Sequence, residues 1–303
     1  MDLSLRNIAA YIVARVLLMN GGIKGINKKL DNGDILLSIY FHNPSKSLFE
    51  SCILWLKDNG FSFISLDDID EISKGSREIG YRQALITVDD GWRGNLENIF
   101  RTSNIYKVPI GIFISTETAE NGGGFWWSYI NRAYKMGITK LKAENLKSWP
   151  NEKRIELMNE LKLKIKIPRE AMKVNDIVSI SNNDLHKIGS HTITHPILTK
   201  CNDVTSKYEI SESKRILENW TNKSIKYFAY PNGSFSERDI EYVKEAGYVK
   251  AFTTKGEYVT KKILKEEINI PRFEILENVS FAENICRMTG LWYNKGFFKK
   301  NSK

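Results

Sequence analysis

The sequence predicts an α/β fold in which helices cover a parallel sheet that is either open or closed into a barrel. Short apolar runs rich in β-branched residues, typical of buried strands, alternate with stretches of helical spacing. Glycines stand where two of the helices should stop, at Gly60 and Gly247. This alternation over most of a chain is typical of parallel α/β sheets.

Seven strands and four helices make up the predicted alternation. The strands are 35–41, 61–66, 84–88, 108–114, 225–230, 249–253 and 268–270. The helices are 48–57, 96–102, 204–220 and 237–246. A polar, helical stretch at about 116–183 interrupts this pattern. We interpret it as a helical insertion in one large domain, residues 31–303, with a separate small domain as the alternative.

Residues 1–30 precede the first strand and are predicted to form an N-terminal amphipathic helix. Apolar residues recur there at helical spacing: Leu5, Ile8, Ile12, Val16 and Met19. We expect this apolar face to pack on the main domain. The alternative is a helix that lies on a membrane interface, which would give the protein a peripheral membrane contact.

Composition narrows the classes of protein. The 42% hydrophobic and 27% charged residues are those of a globular protein, and 303 residues can bury a sizeable core. The net charge of +9 is spread along the chain without a recognition motif, so nucleic acid is not an expected partner. The alternative interpretation of this positive charge is attraction to an anionic membrane surface or glycan. Three cysteines without CxxC spacing favour a reducing compartment, the cytoplasm.

Two adjacent carboxylates, Asp89 and Asp90, follow the predicted strand 84–88. Ligands collect at the carboxyl ends of parallel strands, and Gly91 permits a sharp turn there. Neighbouring side chains point in different directions, so one carboxylate can bind a cation while the other handles a proton. The alternative is that Asp-Gly is only ordinary turn chemistry.

Two of the four histidines, His191 and His195, lie within five residues of each other. If this stretch is helical, the i, i+4 spacing places both imidazoles on one side, ready for a single metal ion. Together with Asp90 they make a three-ligand site with an open position, as in catalytic zinc sites. Asp89 then remains as a general base for an attacking water.

These motifs resemble those of the polysaccharide deacetylases of carbohydrate esterase family 4, also called the NodB-homology family. Residues 87–91 match the family's T-F-D-D-G motif in all but the second position, and residues 191–196 match its H-[ST]-x-x-H-P motif. The resemblance extends from about residue 35 to residue 273. It implies a distorted (β/α) barrel of about seven strands. It also implies that Asp89 is the base and that Asp90, His191 and His195 hold a divalent ion, usually zinc.

Departures from the family pattern concern the general base and the general acid. Residues 228–233 correspond to the family's third motif, R-x-P-[YFW]-G, with Ala229 where that motif has an arginine. The resemblance implies that the N–H of Asn232 stabilises the oxyanion. Arg272 is the candidate replacement for the arginine that orients the base, with a surface ion pair as the alternative. No histidine follows His195, so we expect His42 to be the general acid; otherwise it is a strand-end histidine without a chemical role.

The remaining histidine and the aromatic residues complete the expected site. His186 is expected to be structural or on the surface. An apolar platform under a sugar ring is the expected role of Trp92, Trp126 and Trp127, with core packing as the alternative. Tyr230 is also expected to bind the substrate.

The expected function is a metal-dependent hydrolase that removes acetyl groups, mainly N-acetyl, from a carbohydrate, either a cell-surface polysaccharide or its sugar precursor. Two alternatives share the motifs. One is a hydrolase of another acyl, formyl or C–N bond, and the other is a catalytically impaired carbohydrate-binding relic.

Overall fold

The computed structural model describes residues 4–19 and 22–293, which form an α/β structure. The helices are α1 Leu5–Met19, α2 Gly22–Asp31, α3 Lys46–Asp58, α4 Leu66–Lys74, α5 Arg101–Tyr106, α6 Thr116–Asn121, α7 Trp126–Lys135, α8 Ala143–Leu146, α9 Asn151–Lys164, α10 Val174–Ser181, α11 Asp203–Thr221, α12 Glu237–Glu245, α13 Lys261–Glu266 and α14 Phe281–Met288. The strands are β1 Ile35–Phe41, β2 Ser62–Ile64, β3 Gln83–Val88, β4 Ile110–Ile114, β5 His186–Ser190, β6 Tyr227–Ala229, β7 Lys250–Phe252, β8 Val259–Thr260, β9 Asn269–Ile270 and β10 Phe273–Glu274.

The chain divides into two compact units. The first comprises the described residues of 1–88, 97–110 and 253–303, and the second comprises 89–96 and 111–252. No helix in 4–19 or 22–293 is long and apolar enough to cross a membrane.

In the first unit, β1 is the central strand. It pairs in parallel with β3 on one side and with β10 on the other, while β2 extends the sheet beyond β3. Every residue of β1 and β3 is buried, which explains why both read as continuous apolar runs. The short strand β8 pairs with β1 in the antiparallel direction.

In the second unit, the strand order is β4, β5, β6, β7. β5 pairs in parallel with β6, and β6 with β7. Parallel pairing brings the carboxyl ends of these strands to one edge of the sheet, and the residues that follow them, Ser115, His191 and Tyr230, therefore lie along that edge.

The predicted insertion at 116–183 consists of the five helices α6 to α10. α7 and α9 share an apolar cluster whose buried members are Trp126, Tyr129, Ile130, Ala133, Leu146, Met158, Leu161 and Ile165. The apolar residues Ile155, Met158, Leu161 and Ile165 recur in the sequence at helical spacing, and the last three belong to this cluster, whereas Ile155 is exposed. The cluster lies within the second unit and gives the insertion its own apolar core.

All seven predicted strands occur, and the prediction for 35–41 matches β1 at both ends. The prediction for 61–66 is too long, because Ser65 caps α4, and its hydroxyl accepts a hydrogen bond from the N–H of Asp68. The predicted helix stops are confirmed, since Gly60 and Gly247 have φ of +78° and +75° after α3 and α12.

The strand β5 was missed by sequence reasoning. Its sequence, His-Lys-Ile-Gly-Ser, contains one large apolar residue, Ile188, yet four of its five residues are buried. Burial there depends on small residues: a Cβ added to Gly189 would lie 2.5 Å from the Phe113 ring and 2.9 Å from the Tyr227 carbonyl oxygen. Close strand approach, rather than side-chain hydrophobicity, makes this segment a strand.

The prediction for residues 1–30 needs two corrections. The region forms two helices, α1 and α2, instead of one. The five apolar residues expected to pack on the domain are exposed, and the buried residues of α1 are Asn7, Ala10, Ala14 and Leu17. The helix therefore packs through a face of mostly small residues and turns its large aliphatic side chains outward.

We expect Gly189→Ala to lower the free energy of unfolding by about 3 kcal/mol, because the added methyl overlaps a ring and a backbone oxygen. Chemical denaturation measures the change. Gly75→Ala is the control, since a Cβ there meets nothing within 4 Å and only the φ of +78° is unfavourable, at about 1 kcal/mol. Equal losses in the two variants would show that strand approach at Gly189 is not tight.

Candidate metal centre

Asp90 begins a sharp turn after β3. Its φ is +73° and that of Gly91 is +79°, so two consecutive residues adopt the left-handed region. A Cβ at Gly91 would lie 2.9 Å from Ile114 Cδ1, so the turn also needs a glycine for space. This turn buries the Asp90 side chain, and the residue is 3% exposed.

The insertion fixes this turn. The backbone N–H of Met172 donates to the Gly91 carbonyl oxygen at 2.9 Å, and that of Arg93 donates to the Glu170 carbonyl oxygen at 2.7 Å. The indole N–H of Trp92 donates to Asp90 Oδ2 at 2.8 Å. One carboxylate oxygen is thus held by the indole, and the other, Oδ1, faces the two histidines.

The segment that carries His191 and His195 is a loop, so the expectation of a helical turn is wrong. Thr192 and His195 both have positive φ, of +67° and +53°, which an α-helix does not contain. The first turn of α6 supports the loop: the N–H of Thr116 donates to Thr192 O, and that of Glu117 donates to Ile193 O. A folded loop brings the two rings together in place of helical spacing.

The two imidazoles converge on one carboxylate oxygen. Nε2 of His191 lies 3.4 Å from Asp90 Oδ1, and Nε2 of His195 lies 3.3 Å from the same atom. The ring centroids are 4.8 Å apart, and the potential ligand atoms of the three residues all lie within 4.8 Å of one another. This spacing would let one ion contact all three.

A backbone contact sets the tautomer of His191. Its Nδ1 lies 2.7 Å from the carbonyl oxygen of Ala229, the last residue of β6. Because a carbonyl only accepts, Nδ1 carries a hydrogen, and the neutral form of this ring would present the Nε2 lone pair to an ion beside Asp90. Burial lowers the pKa of His195, which favours the neutral imidazole that binds a metal.

The donor set fits a zinc ion. Two imidazoles and one carboxylate, all buried, are ligands that zinc accepts, and three protein ligands leave a position for water. The residues predicted as ligands are therefore brought together. Asp89, the predicted base, is also buried, with 2% exposure.

Glu209 on α11 is a part of this site that sequence reasoning missed. Its Oε2 accepts hydrogen bonds from the N–H groups of Ile193 and Thr194 at 2.8 and 3.0 Å, and its Oε1 accepts from the Thr194 hydroxyl at 2.6 Å. Burial raises the pKa of this carboxyl, and the three hydrogen bonds act in the opposite direction. Glu209 thereby fixes the loop between the two histidines.

The predicted aromatic platform is divided between core and site. Trp126 is buried in the insertion cluster, with the Arg154 guanidinium 5.1 Å from its ring centroid, and its indole N–H donates to His195 O at 3.0 Å. Trp127 and Trp92 are only half-buried. The Trp127 ring meets that of His195 edge-on at 4.7 Å and stacks on Phe125 at the same distance.

Residues of the third motif differ in exposure. Tyr230 is fully buried and stacks on Phe235 at 4.3 Å, and burial raises the pKa of its phenol. Asn232 is exposed and has a φ of +57° in a short 3₁₀ turn, Pro231–Gly233. Asn232, rather than Tyr230, is therefore the residue of this motif that is open to solvent.

A model of the polysaccharide deacetylase family matches residues 77–251, more than half of the chain. The chain belongs to this family. The match contains both the acidic turn and the histidine loop of the metal centre. A curated relative is the poly-β-1,6-N-acetyl-D-glucosamine N-deacetylase of Staphylococcus aureus, which is 23% identical over 254 residues, covering 82% of this chain and 73% of the relative.

Solved structures of deacetylases share the fold. IcaB from Ammonifex degensii superimposes with a TM-score of 0.63 at 14% identity, covering 85% of this chain and 97% of that protein. The deacetylase PplD from Streptococcus pyogenes gives 0.61 at 14% identity, covering 84% and 98%. These likenesses confirm the α/β class with the distorted (β/α) barrel of the deacetylase family.

Arg272 and His42 belong to the first unit of this deacetylase. Arg272 is fully buried, so the alternative of a surface ion pair is wrong. Its Nε donates to Thr253 O and its Nη1 to Thr87 Oγ1, both at 3.0 Å, and Thr87 precedes Asp89 by two residues. The guanidinium also lies 4.3 Å from the Tyr40 ring centroid, and the same ring meets that of His42 edge-on at 5.4 Å.

His186 is structural, which is one of the two expected outcomes. It begins β5 and is 2% exposed, and burial lowers its pKa to about 4. It is therefore a neutral core histidine on the same strand that leads to His191.

We expect His191→Gln to lower zinc affinity by more than about 100-fold, since changes outside the ligand set alone cost 10- to 100-fold. His186→Gln is the matched control, because it alters a buried histidine at the other end of β5 and should leave affinity unchanged. Titration calorimetry of metal-stripped protein with zinc measures both. Equal affinity in the His191 variant and the unmodified chain would rule out this centre.

We expect Glu209→Gln to weaken zinc binding about tenfold while the protein stays folded, because a neutral amide oxygen accepts from the two backbone N–H groups more weakly than a carboxylate oxygen does, which loosens the loop. Glu212→Gln on the same helix, which breaks only an exposed pair with Arg215, is the control. The same calorimetry measures both variants. If Glu209→Gln bound zinc as tightly as the unmodified chain, Glu209 would not be a positioning residue for the histidine loop.

Proposed function

We propose that this polysaccharide deacetylase is a metal-dependent hydrolase that removes N-acetyl groups from a carbohydrate. The observation that carries the proposal is the convergence of His191 and His195 on a single oxygen of Asp90, in a buried site. Membership of the deacetylase family supports the reaction, and the donor set supports zinc as the ion.

Asp90, His191 and His195 would hold the ion. When bound, it supplies a positive charge that polarises the acetyl carbonyl and makes an attacking water more acidic. Asp89 then acts as the general base and removes a proton from that water. Its place directly before Asp90 in the chain, with both residues buried, supports a division of labour between ligand and base.

Attack on the carbonyl carbon places a negative charge on the former carbonyl oxygen. We propose that the backbone N–H of Asn232 donates to this oxygen. The positive φ of Asn232 and its exposure support a turn whose backbone can approach a substrate. A backbone donor also does not depend on the side chain at that position.

The departing amine needs a proton before it can leave. We propose that His42 supplies it and that Arg272 orients the general base. The two roles come from the sequence resemblance, and the contacts of the first unit support them: Tyr40 touches both side chains, and Arg272 donates to Thr87. His42 is half-buried, so its ring has access to solvent.

For the substrate, we propose an N-acetylated hexosamine glycan or its sugar precursor. The S. aureus relative is named as an N-deacetylase of poly-β-1,6-N-acetyl-D-glucosamine. Trp127 and Trp92 are the aromatic side chains that support a platform for a sugar ring, since both are half-buried and Trp127 contacts His195. Trp126 would support them from the core.

We propose the cytoplasm as the compartment, as the sequence predicts. Cys52, Cys201 and Cys286 are free, buried thiols. Burial raises the pKa of Cys201 and Cys286 to about 12, so they stay protonated at neutral pH. Free thiols fit a reducing environment.

We expect the zinc-loaded enzyme to release acetate from N-acetylglucosamine oligomers. Asp89→Asn and His42→Ala should each lower kcat by about 10²- to 10⁴-fold while zinc content stays at the unmodified level. Enzymatic assay of acetate, with elemental analysis of the same samples, measures both quantities.

Other outcomes of this experiment would separate the alternatives. Release of formate or ammonia in place of acetate would identify a different bond. Absence of any product from the unmodified, zinc-loaded chain across acetylated glycans and sugar precursors would favour a binding relic. Near-normal kcat in His42→Ala would remove that residue from the proposed mechanism.

A further inference from the structure

One face of α1 exposes an aliphatic stripe. Its members are Leu5 (87% exposed), Ile8 (42%), Ile12 (56%), Val16 (49%) and Met19 (78%). Spacings of three and four residues place them along one side of a helix, over about 21 Å at 1.5 Å per residue. Single exposed aliphatic side chains are common on protein surfaces, but a continuous line of five marks a contact surface.

The orientation of α1 is fixed by contacts on its opposite side. Ala10, Ala14 and Leu17 are buried there. The Arg6 guanidinium donates to both carboxylate oxygens of Glu283 on α14, at 3.0 and 2.8 Å, and the Asn7 amide donates to Asn278 O at 3.0 Å. A charged pair and a polar contact at one end of the helix, with small residues along it, hold the aliphatic stripe outward.

Basic residues accompany the aliphatic stripe in the sequence. Residues 3–30 contain five basic and no acidic residues: Arg6, Arg15, Lys24, Lys28 and Lys29. Arg6 is engaged by Glu283, whereas Arg15 and the three lysines are exposed. The region therefore combines an aliphatic line with an uncompensated positive charge.

We propose that α1 lies in the interface of an anionic lipid bilayer, with its aliphatic stripe among the acyl chains and the lysines of α2 near the headgroups. Apolar side chains on one face of a helix and basic groups beside them are the two contributions that bind a helix to such a surface. α1 lies along the bilayer because its 15 residues span about 22 Å, short of a hydrocarbon core of about 30 Å.

The charge distribution favours lipid over a second copy of this chain. Two copies that met through the aliphatic stripe would bring two strongly basic segments together, at a cost in repulsion. A glycan would fit poorly, because sugars stack on aromatic faces and the stripe is aliphatic. The inference depends on α1, α2 and α14 and is independent of the proposed reaction.

Sedimentation of the full chain with vesicles tests the proposal. Vesicles of phosphatidylcholine are compared with vesicles that also contain phosphatidylglycerol, at low and high salt. The stripe variant carries Ile12→Ser and Val16→Ser. Its matched control carries Leu163→Ser and Val204→Ser, two aliphatic residues that are 89% and 81% exposed elsewhere.

A second pair of variants tests the charges with equal loss of net charge. The lysine variant carries Lys24→Gln, Lys28→Gln and Lys29→Gln. Its control carries the same change at three exposed lysines of the insertion: Lys135, Lys140 and Lys153.

We expect the unmodified chain to sediment with anionic vesicles and to be released by salt. The stripe variant should bind at least about tenfold more weakly, and the lysine variant should lose the preference for anionic lipid, while both controls bind like the unmodified chain. Acetate release from a soluble substrate should be the same in all variants.

Three results would overturn the proposal. The first is that the unmodified chain fails to bind anionic vesicles, and the second is that the variants and their controls lose binding equally. The third is that the unmodified chain self-associates without vesicles in analytical ultracentrifugation while the stripe variant does not, which would assign the surface to a second copy. Circular dichroism melting of each variant separates a loss of binding from a loss of folding.

Discussion

The interaction on which the site depends is the buried approach of the Asp90 carboxylate to the Nε2 atoms of His191 and His195. Taking a carboxylate out of water is costly unless a positive charge and hydrogen bonds compensate it. The Trp92 indole compensates one oxygen, and the histidines face the other. A divalent cation at this point would offset the remaining cost, so the same arrangement links metal binding to the stability of both loops.

The neighbouring elements hold the ligands in conformations that their own sequences disfavour. Asp90, Thr192 and His195 all have positive φ without being glycine, and such residues cost on the order of 1–3 kcal/mol each. The cost is met by fixed partners: the first turn of α6, the strand-like pairing of Trp92 with Ala171, and the Glu209 carboxylate. The insertion is therefore a structural support of the metal centre as well as a decoration.

The three candidate metal ligands could be picked out from the sequence because of their residue types and their informative spacing, and chemistry alone limits what two histidines and a carboxylate can do. Their supports could not. Glu209 reads as one acidic residue in a polar helix, and only folding shows that its carboxylate faces three donors. β5 buries glycine and serine, which carry no hydrophobic signal. Periodicity located the apolar face of α1 correctly, but the direction of that face depends on Arg6 and Glu283, far apart in sequence.

The absence of the third motif's arginine affects the candidate site less than the sequence alone suggests. At Ala229 the side chain is lost but the backbone carbonyl remains, and this carbonyl orients His191, so the metal ligand does not depend on the missing arginine. A guanidinium is instead present at Arg272, fully buried and held by Thr87, Thr253 and the Tyr40 ring. Burying a cation is costly, and a side chain that such contacts fix loses little further entropy when it acts. A preorganised Arg272 therefore fits a positioning role better than a mobile surface arginine would.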